Sequence, residues 1–121
     1  MKKLMMIAAL VALPASAQAM SVAEFLAKVS GLKAKGLFAM GSPDIKLLTT
    51  EMKAVGEAYR TDIEGARAAG RTPHSCPPPK GKAKLTSKDL LSEFEAIPAA
   101  QRGMSVKTAF YAMMRKRYPC K

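Results

Sequence analysis

The sequence contains no tryptophan, one histidine and two cysteines, and its nine Asp and Glu are outnumbered by twenty Lys and Arg. Aromatic side chains make up only 6% of the chain, so a core has to be built from aliphatic residues and the nine methionines. One histidine gives little to ligate zinc, and His74-x-Cys76 is too short a pattern to specify such a site. The Met113-Met114 pair reads as core filler on a helix face rather than as a soft-metal ligand. There is no glycine-rich phosphate loop and no nucleophile elbow. Glu51, Glu57, Asp62 and Glu64 alternate with Lys and Arg, the pattern of a solvated helix face and not of a paired-carboxylate site. These absences argue for a protein with no catalytic residue, no metal and no cofactor. Strand signals are nearly absent as well, which leaves an all-α fold as the expectation.

Long apolar runs are missing too, and the longest marks the start of the chain. Met1-Lys2-Lys3 precedes an apolar stretch over residues 4–13, then Pro14 and two overlapping A-x-A sites, Ala15-Ser16-Ala17 and Ala17-Gln18-Ala19. Charged start, apolar middle and small-residue end are the parts of a cleavable secretory signal peptide, expected over residues 1–19. An apolar run of ten residues is half of the roughly 20 needed to cross a bilayer, so no membrane span is expected. Cleavage would leave the mature chain starting at Gln18 or Met20, in the periplasm. About 102 residues then remain, residues 20–121, enough for one helical domain with one modest core.

Four helices are predicted, at about 21–35, 43–69, 86–97 and 105–117. Ser21-x-x-Glu24 is a capping box before Val22, Phe25, Leu26, Val29 and Leu32; Gly36 is the stop, and Gly31 is a candidate kink. Ser42-Pro43-Asp44 opens the longest helix, whose stripe runs Ile45, Leu48, Met52, Val55, Tyr59, Ile63 and Ala66 as far as Gly70. Lys53 with Glu57 and Arg60 with Glu64 stand at i, i+4 on its flanks. Thr86 and Asp89 start the third helix, with Leu85 and Leu90 placed as a hydrophobic staple, and Pro98 ends it. Ser105 starts the fourth, with Val106, Ala109, Phe110, Met113 and Met114 facing inward. Between the second and third helices, residues 71–84 carry Pro73, Pro77-Pro78-Pro79 and Gly81, which no regular element survives. That stretch is either an ordered basic loop or a plain linker.

Export to an oxidising compartment favours pairing Cys76 with Cys120. Charge is lopsided: residues 20–70 hold seven cations against six acids, whereas residues 71–121 hold eleven against three. A carboxy-terminal half at +8 favours acidic partners, either a protein surface or an anionic envelope polymer, and export turns it away from nucleic acid. A solvated face kept soluble by its charge is the plain alternative.

Cys76-Pro77-Pro78, a helix carrying Leu90, Leu91 and Phe94, the Ile97-Pro98 break, Arg102, and a helix ending in Arg117-Tyr118-Pro119-Cys120 together resemble the Rap/Tai-type immunity proteins of bacterial type VI secretion systems. The resemblance covers roughly residues 74–121. The first half departs from it: Val29-Ser30-Gly31-Leu32 stands where that family often has a cysteine followed by Gly-Tyr. The resemblance implies a periplasmic all-helical protein, with a homodimer as one form, that binds and blocks an exported cell-wall amidase toxin. On that reading the partner-binding residues are Lys80, Lys82 and Lys84 in the proline-stiffened loop, and Arg115, Lys116 and Arg117 tied near it by the disulfide. The alternatives are a periplasmic stress or chaperone-like protein, similar in outline to small acid-stress chaperones, and a binder of anionic envelope polymer.

Overall fold

Every long helix starts on a side chain that takes over a backbone N–H the helix itself leaves without a partner. The computed structural model describes residues 19–121; apart from Ala19, the expected export signal lies outside them. Ser21 Oγ accepts from Glu24 N–H at 3.1 Å and opens α1 (Val22–Lys35), which runs through Gly31 and stops at Gly36, where φ is +57°. A 3-10 segment, Gly36–Gly41, leads to Ser42, whose Oγ accepts from Asp44 N–H at 3.3 Å and opens α2 (Pro43–Ala68). Helix α3 (Ser87–Glu95) has the complete reciprocal box: Asp89 N–H donates to Thr86 Oγ1 at 3.1 Å, and Thr86 N–H donates to Asp89 Oδ2 at 3.0 Å. Those bonds from the Thr86 backbone and hydroxyl hold the Asp89 carboxyl below its ordinary range. After a short 3-10 turn, Ala99–Gln101, Ser105 opens α4 (Val106–Arg117).

Over the described residues the chain is therefore a small all-α fold of four helices with one disulfide, as expected. Among the described residues there is no strand, and no helix is long and apolar enough to cross a membrane. The third helix is shorter than 86–97: it stops at Glu95, and Arg102 reaches back to cap it, with Nε on Ile97 O at 2.9 Å and Nη2 on Glu95 O at 2.8 Å.

Helices α1 and α4 begin side by side. Val22 N–H donates to Met104 O, Ala23 N–H to Arg102 O, and Val106 N–H to Met20 O, each at 2.9 Å. Two helix starts thus satisfy each other's exposed donors through one antiparallel bridge, Ser21 to Ser105. Val22 and Val106, both without exposed surface, sit at this junction. The core continues through Phe25, Leu48, Val55, Tyr59, Ile63, Phe94, Ala109, Phe110, Met113 and Met114. Phe25 meets Phe94 edge to face at 5.5 Å, and Tyr59 meets Phe110 at 5.4 Å, an arrangement that suits the ring quadrupoles.

Two expectations about α2 need correction. Ile45, at the head of the predicted apolar stripe, is 39% exposed: α1 meets the first turn of α2 at the Lys28–Asp44 ion pair, and the buried face of α2 begins at Leu48. The i, i+4 pairs Lys53–Glu57 and Arg60–Glu64 are not among the ion pairs of the described residues. Arg60 instead donates Nη1 to Pro78 O at 3.2 Å. A buried or half-buried carbonyl with no other partner is a better use of a guanidinium than an exposed ion pair worth a few tenths of a kcal/mol.

Candidate functional site

The proline-rich segment is an ordered strap, not a plain linker. Ser75 is fully buried, and its hydroxyl lies 2.5 Å from Tyr59 Oη on α2. Cys76 N–H donates to Tyr118 O at 2.7 Å, and the Cys76–Cys120 bridge then closes beside it with Cα atoms 5.0 Å apart. Pro77 is buried, and Arg60 holds Pro78. The strap is thus fastened at consecutive residues to the middle of α2 and to the end of α4.

Around this fastening lies a polar network that joins the strap, α2 and α4. Tyr111 Oη donates to Asp62 Oδ2 at 2.5 Å, joining α4 to α2. His74 stacks tilted on Tyr111 at 5.3 Å between centroids, with Nδ1 3.4 Å from Ser75 Oγ, and Lys107 Nζ lies 5.5 Å above the Tyr111 ring. Burial lowers the His74 pKa, with the Arg115 charge adding to the effect and Asp62 opposing it. Burial, and then the hydrogen bond and charge of Asp62, push the Tyr111 phenol well above the ordinary tyrosine range. His74, Ser75 and Asp62 are near neighbours, yet Ser75 faces Tyr59 inside the core and Asp62 is engaged by Tyr111. Their geometry is that of a clasp between strap, α2 and α4.

The clasp makes a definite prediction. Tyr59→Phe should destabilise the protein by about 1–3 kcal/mol, because the Ser75 hydroxyl stays buried and keeps only the 3.4 Å contact with His74 Nδ1. Adding Ser75→Ala should recover part of that loss, since the buried hydroxyl is then gone, at the cost only of its long contact with His74. Urea unfolding of the two single variants and the double variant measures both effects.

Lys80, Lys82, Lys84, Arg115, Lys116 and Arg117, the six cations expected at a partner surface, are all exposed. They do not share one environment. Lys116 Nζ and Arg117 Nη2 lie 3.8 and 3.7 Å from the Glu93 carboxylate on α3. Arg115 lies on the other side, close enough for its charge to act on His74. Lys80 lines an open groove of about 690 Å³ over α2, beside Lys53, Arg60, Glu57 and Glu64. Lys80, Lys82, Lys84 and Arg115 have no ion-pair partner among the described residues. No group of three His, Cys, Asp or Glu among those residues is placed to hold a metal ion.

One exposed feature escaped the sequence reading altogether. Leu37 and Phe38 are each 89% exposed and Met40 is 83% exposed, all in the 3-10 segment between α1 and α2. The available signal was apolar residues bracketed by Gly36 and Gly41, off the register of either helical stripe. No family model, no curated protein and no solved structure matches this chain.

Proposed function

We propose that this chain is an exported, non-catalytic binding protein of the periplasm, and specifically an immunity protein that occludes a cell-wall amidase toxin. The observation that carries the reading is the clasped strap. It fastens Ser75, Cys76 and Pro78, just before Lys80, Lys82 and Lys84, to α2 and to the end of the helix that bears Arg115, Lys116 and Arg117. A binding loop whose backbone is already ordered loses less entropy on association than a free one. Cations without ion-pair partners of their own are available to an acidic groove. The resemblance of residues 74–121 to immunity proteins supplies the amidase as partner class.

The test is direct. The secreted chain should have a mass corresponding to cleavage before Gln18 or Met20, and should form a complex with a purified amidase encoded beside it. Changing Lys80, Lys82 and Lys84 together to Gln should slow association about tenfold at low salt without altering the fold. Absence of a complex at micromolar concentration, together with no protection of cells that express the amidase, would overturn the reading. Salt-sensitive binding to anionic envelope polymer with no amidase complex would replace it by the polymer-binding alternative, which rests on the same cations. A stress-chaperone role is less well supported, because His74 is the chain's one histidine and few groups titrate between neutral and mildly acidic pH.

A further inference from the structure

The exposed turn between α1 and α2 has a composition and charge that the amidase reading does not use. In a 3-10 helix residues three apart share an edge, so Leu37 and Met40 align with Phe38 beside them, while Ala39 is the one residue of the segment that is not fully exposed. Ile45 and Leu47, 39% and 50% exposed, continue the apolar character into the first turns of α2. Soluble proteins rarely group this many large apolar side chains in the open without a counterpart.

The charges around the tip are of one sign. Lys28, Lys33, Lys35 and Lys46 flank it, against Asp44 alone, and Asp44 is taken by Lys28 at 3.5 Å. Lys33, Lys35 and Lys46 are exposed and have no ion-pair partner among the described residues. Lys33 and Lys35 lie in the last turn of α1, about 5 Å or less along the helix from Gly36 at a rise of 1.5 Å per residue. The tip also satisfies backbone groups locally: Gly36 N–H donates to Lys33 O, and Ser42 N–H to Ala39 O at 2.9 Å. Apolar side chains in front, lysines one turn behind and few open backbone groups are the requirements for insertion at a bilayer interface.

We propose that the Gly36–Gly41 turn is a membrane-docking tip that inserts Leu37, Phe38 and Met40 into the surface of an anionic bilayer, with Lys33, Lys35 and Lys46 among the headgroups. A second copy of the chain is the poorer occupant, because pairing two tips face to face brings both lysine sets together. A bilayer, by contrast, needs no complementary groove for a tip that stands clear of the rest of the fold. Three lysines near an anionic surface favour it over a neutral one by on the order of a hundredfold. This inference is independent of the partner met by the basic carboxy-terminal half.

The chain has no tryptophan, so Phe38→Trp places a unique reporter on the tip. The secreted variant, in the processed form identified by mass, is mixed with phosphatidylethanolamine vesicles containing roughly a quarter phosphatidylglycerol, and with phosphatidylcholine vesicles. The expected result is a blue-shifted tryptophan emission quenched by bromolipid in the anionic vesicles, weakened by added salt, and little response in phosphatidylcholine. Co-sedimentation of the otherwise unchanged chain should be lost in the Leu37→Ser, Phe38→Ser variant, whose thermal unfolding stays unchanged because both positions are exposed. An unshifted emission, or sedimentation of the double variant equal to the parent, overturns the proposal. So does a blue shift that depends on protein concentration in the absence of vesicles, which would assign the tip to a second copy.

Discussion

Replacing Cys76 and Cys120 together by alanine is expected to lower the unfolding free energy by about 4 kcal/mol, less any strain the bridge carries. The bridge joins residues 44 apart in sequence, so the unfolded chain regains the freedom of a loop spanning the strap, α3 and α4. In a fold this size, 1 kcal/mol corresponds to roughly 4–8 °C in Tm, and the double variant should melt roughly 15–30 °C lower. It should still fold at 25 °C, because Tyr59–Ser75, Cys76 N–H to Tyr118 O, and Arg60 to Pro78 hold the strap independently. The m-value in urea should rise, since an uncrosslinked denatured state exposes more surface. Urea and thermal unfolding with and without reductant measure all three effects. A change in Tm of only a few degrees would mean that the clasp alone restrains the strap.

Phe94→Ala should cost about 3–5 kcal/mol, the range for emptying a fully enclosed aromatic site. Phe94 is 1% exposed and is the buried residue of α3, a helix of nine residues whose other apolar contacts, Leu90 and Leu91, are only half-buried. A helix that short does not persist alone in water, so it depends on packing, and Phe94 against Phe25 is its one fully buried anchor. The loss should therefore have a place as well as a size. Amide exchange over residues 87–95 should accelerate beyond that of α2 and α4, while Leu90→Ala gives a smaller effect in the same region. A cost below about 1 kcal/mol would show that α3 is held by its caps and by Arg102 rather than by its aromatic anchor.

Much of this architecture is local and was legible residue by residue. Ser21, Ser42, Thr86 and Ser105 each cap the helix that the sequence reading assigns to them, because a cap needs only a hydroxyl two or three residues from an N–H. The Leu48-Val55-Tyr59-Ile63 stripe is buried as its spacing predicts. Local rules failed where a residue's partner lies far along the chain. Arg60 at i, i+4 from Glu64 turned to Pro78, and Ile45, in perfect register, stayed exposed, the buried face of α2 beginning at Leu48. At the candidate binding surface the exposure of all six cations was legible, but the diversion of Lys116 and Arg117 to Glu93 was not.

By itself, the sequence determined the all-helical class, the starts of the four helices and the pairing of Cys76 with Cys120, all of which follow from short-range chemistry and from there being only two thiols. Only the tertiary structure decided that α1 and α4 begin against one another through Val22, Ala23 and Val106, that Ser75 is locked under Tyr59, and that Leu37, Phe38 and Met40 are left outside. Burial depends on which other segments cover a residue, and hydrophobic spacing along one helix records only the direction in which a cover would have to lie.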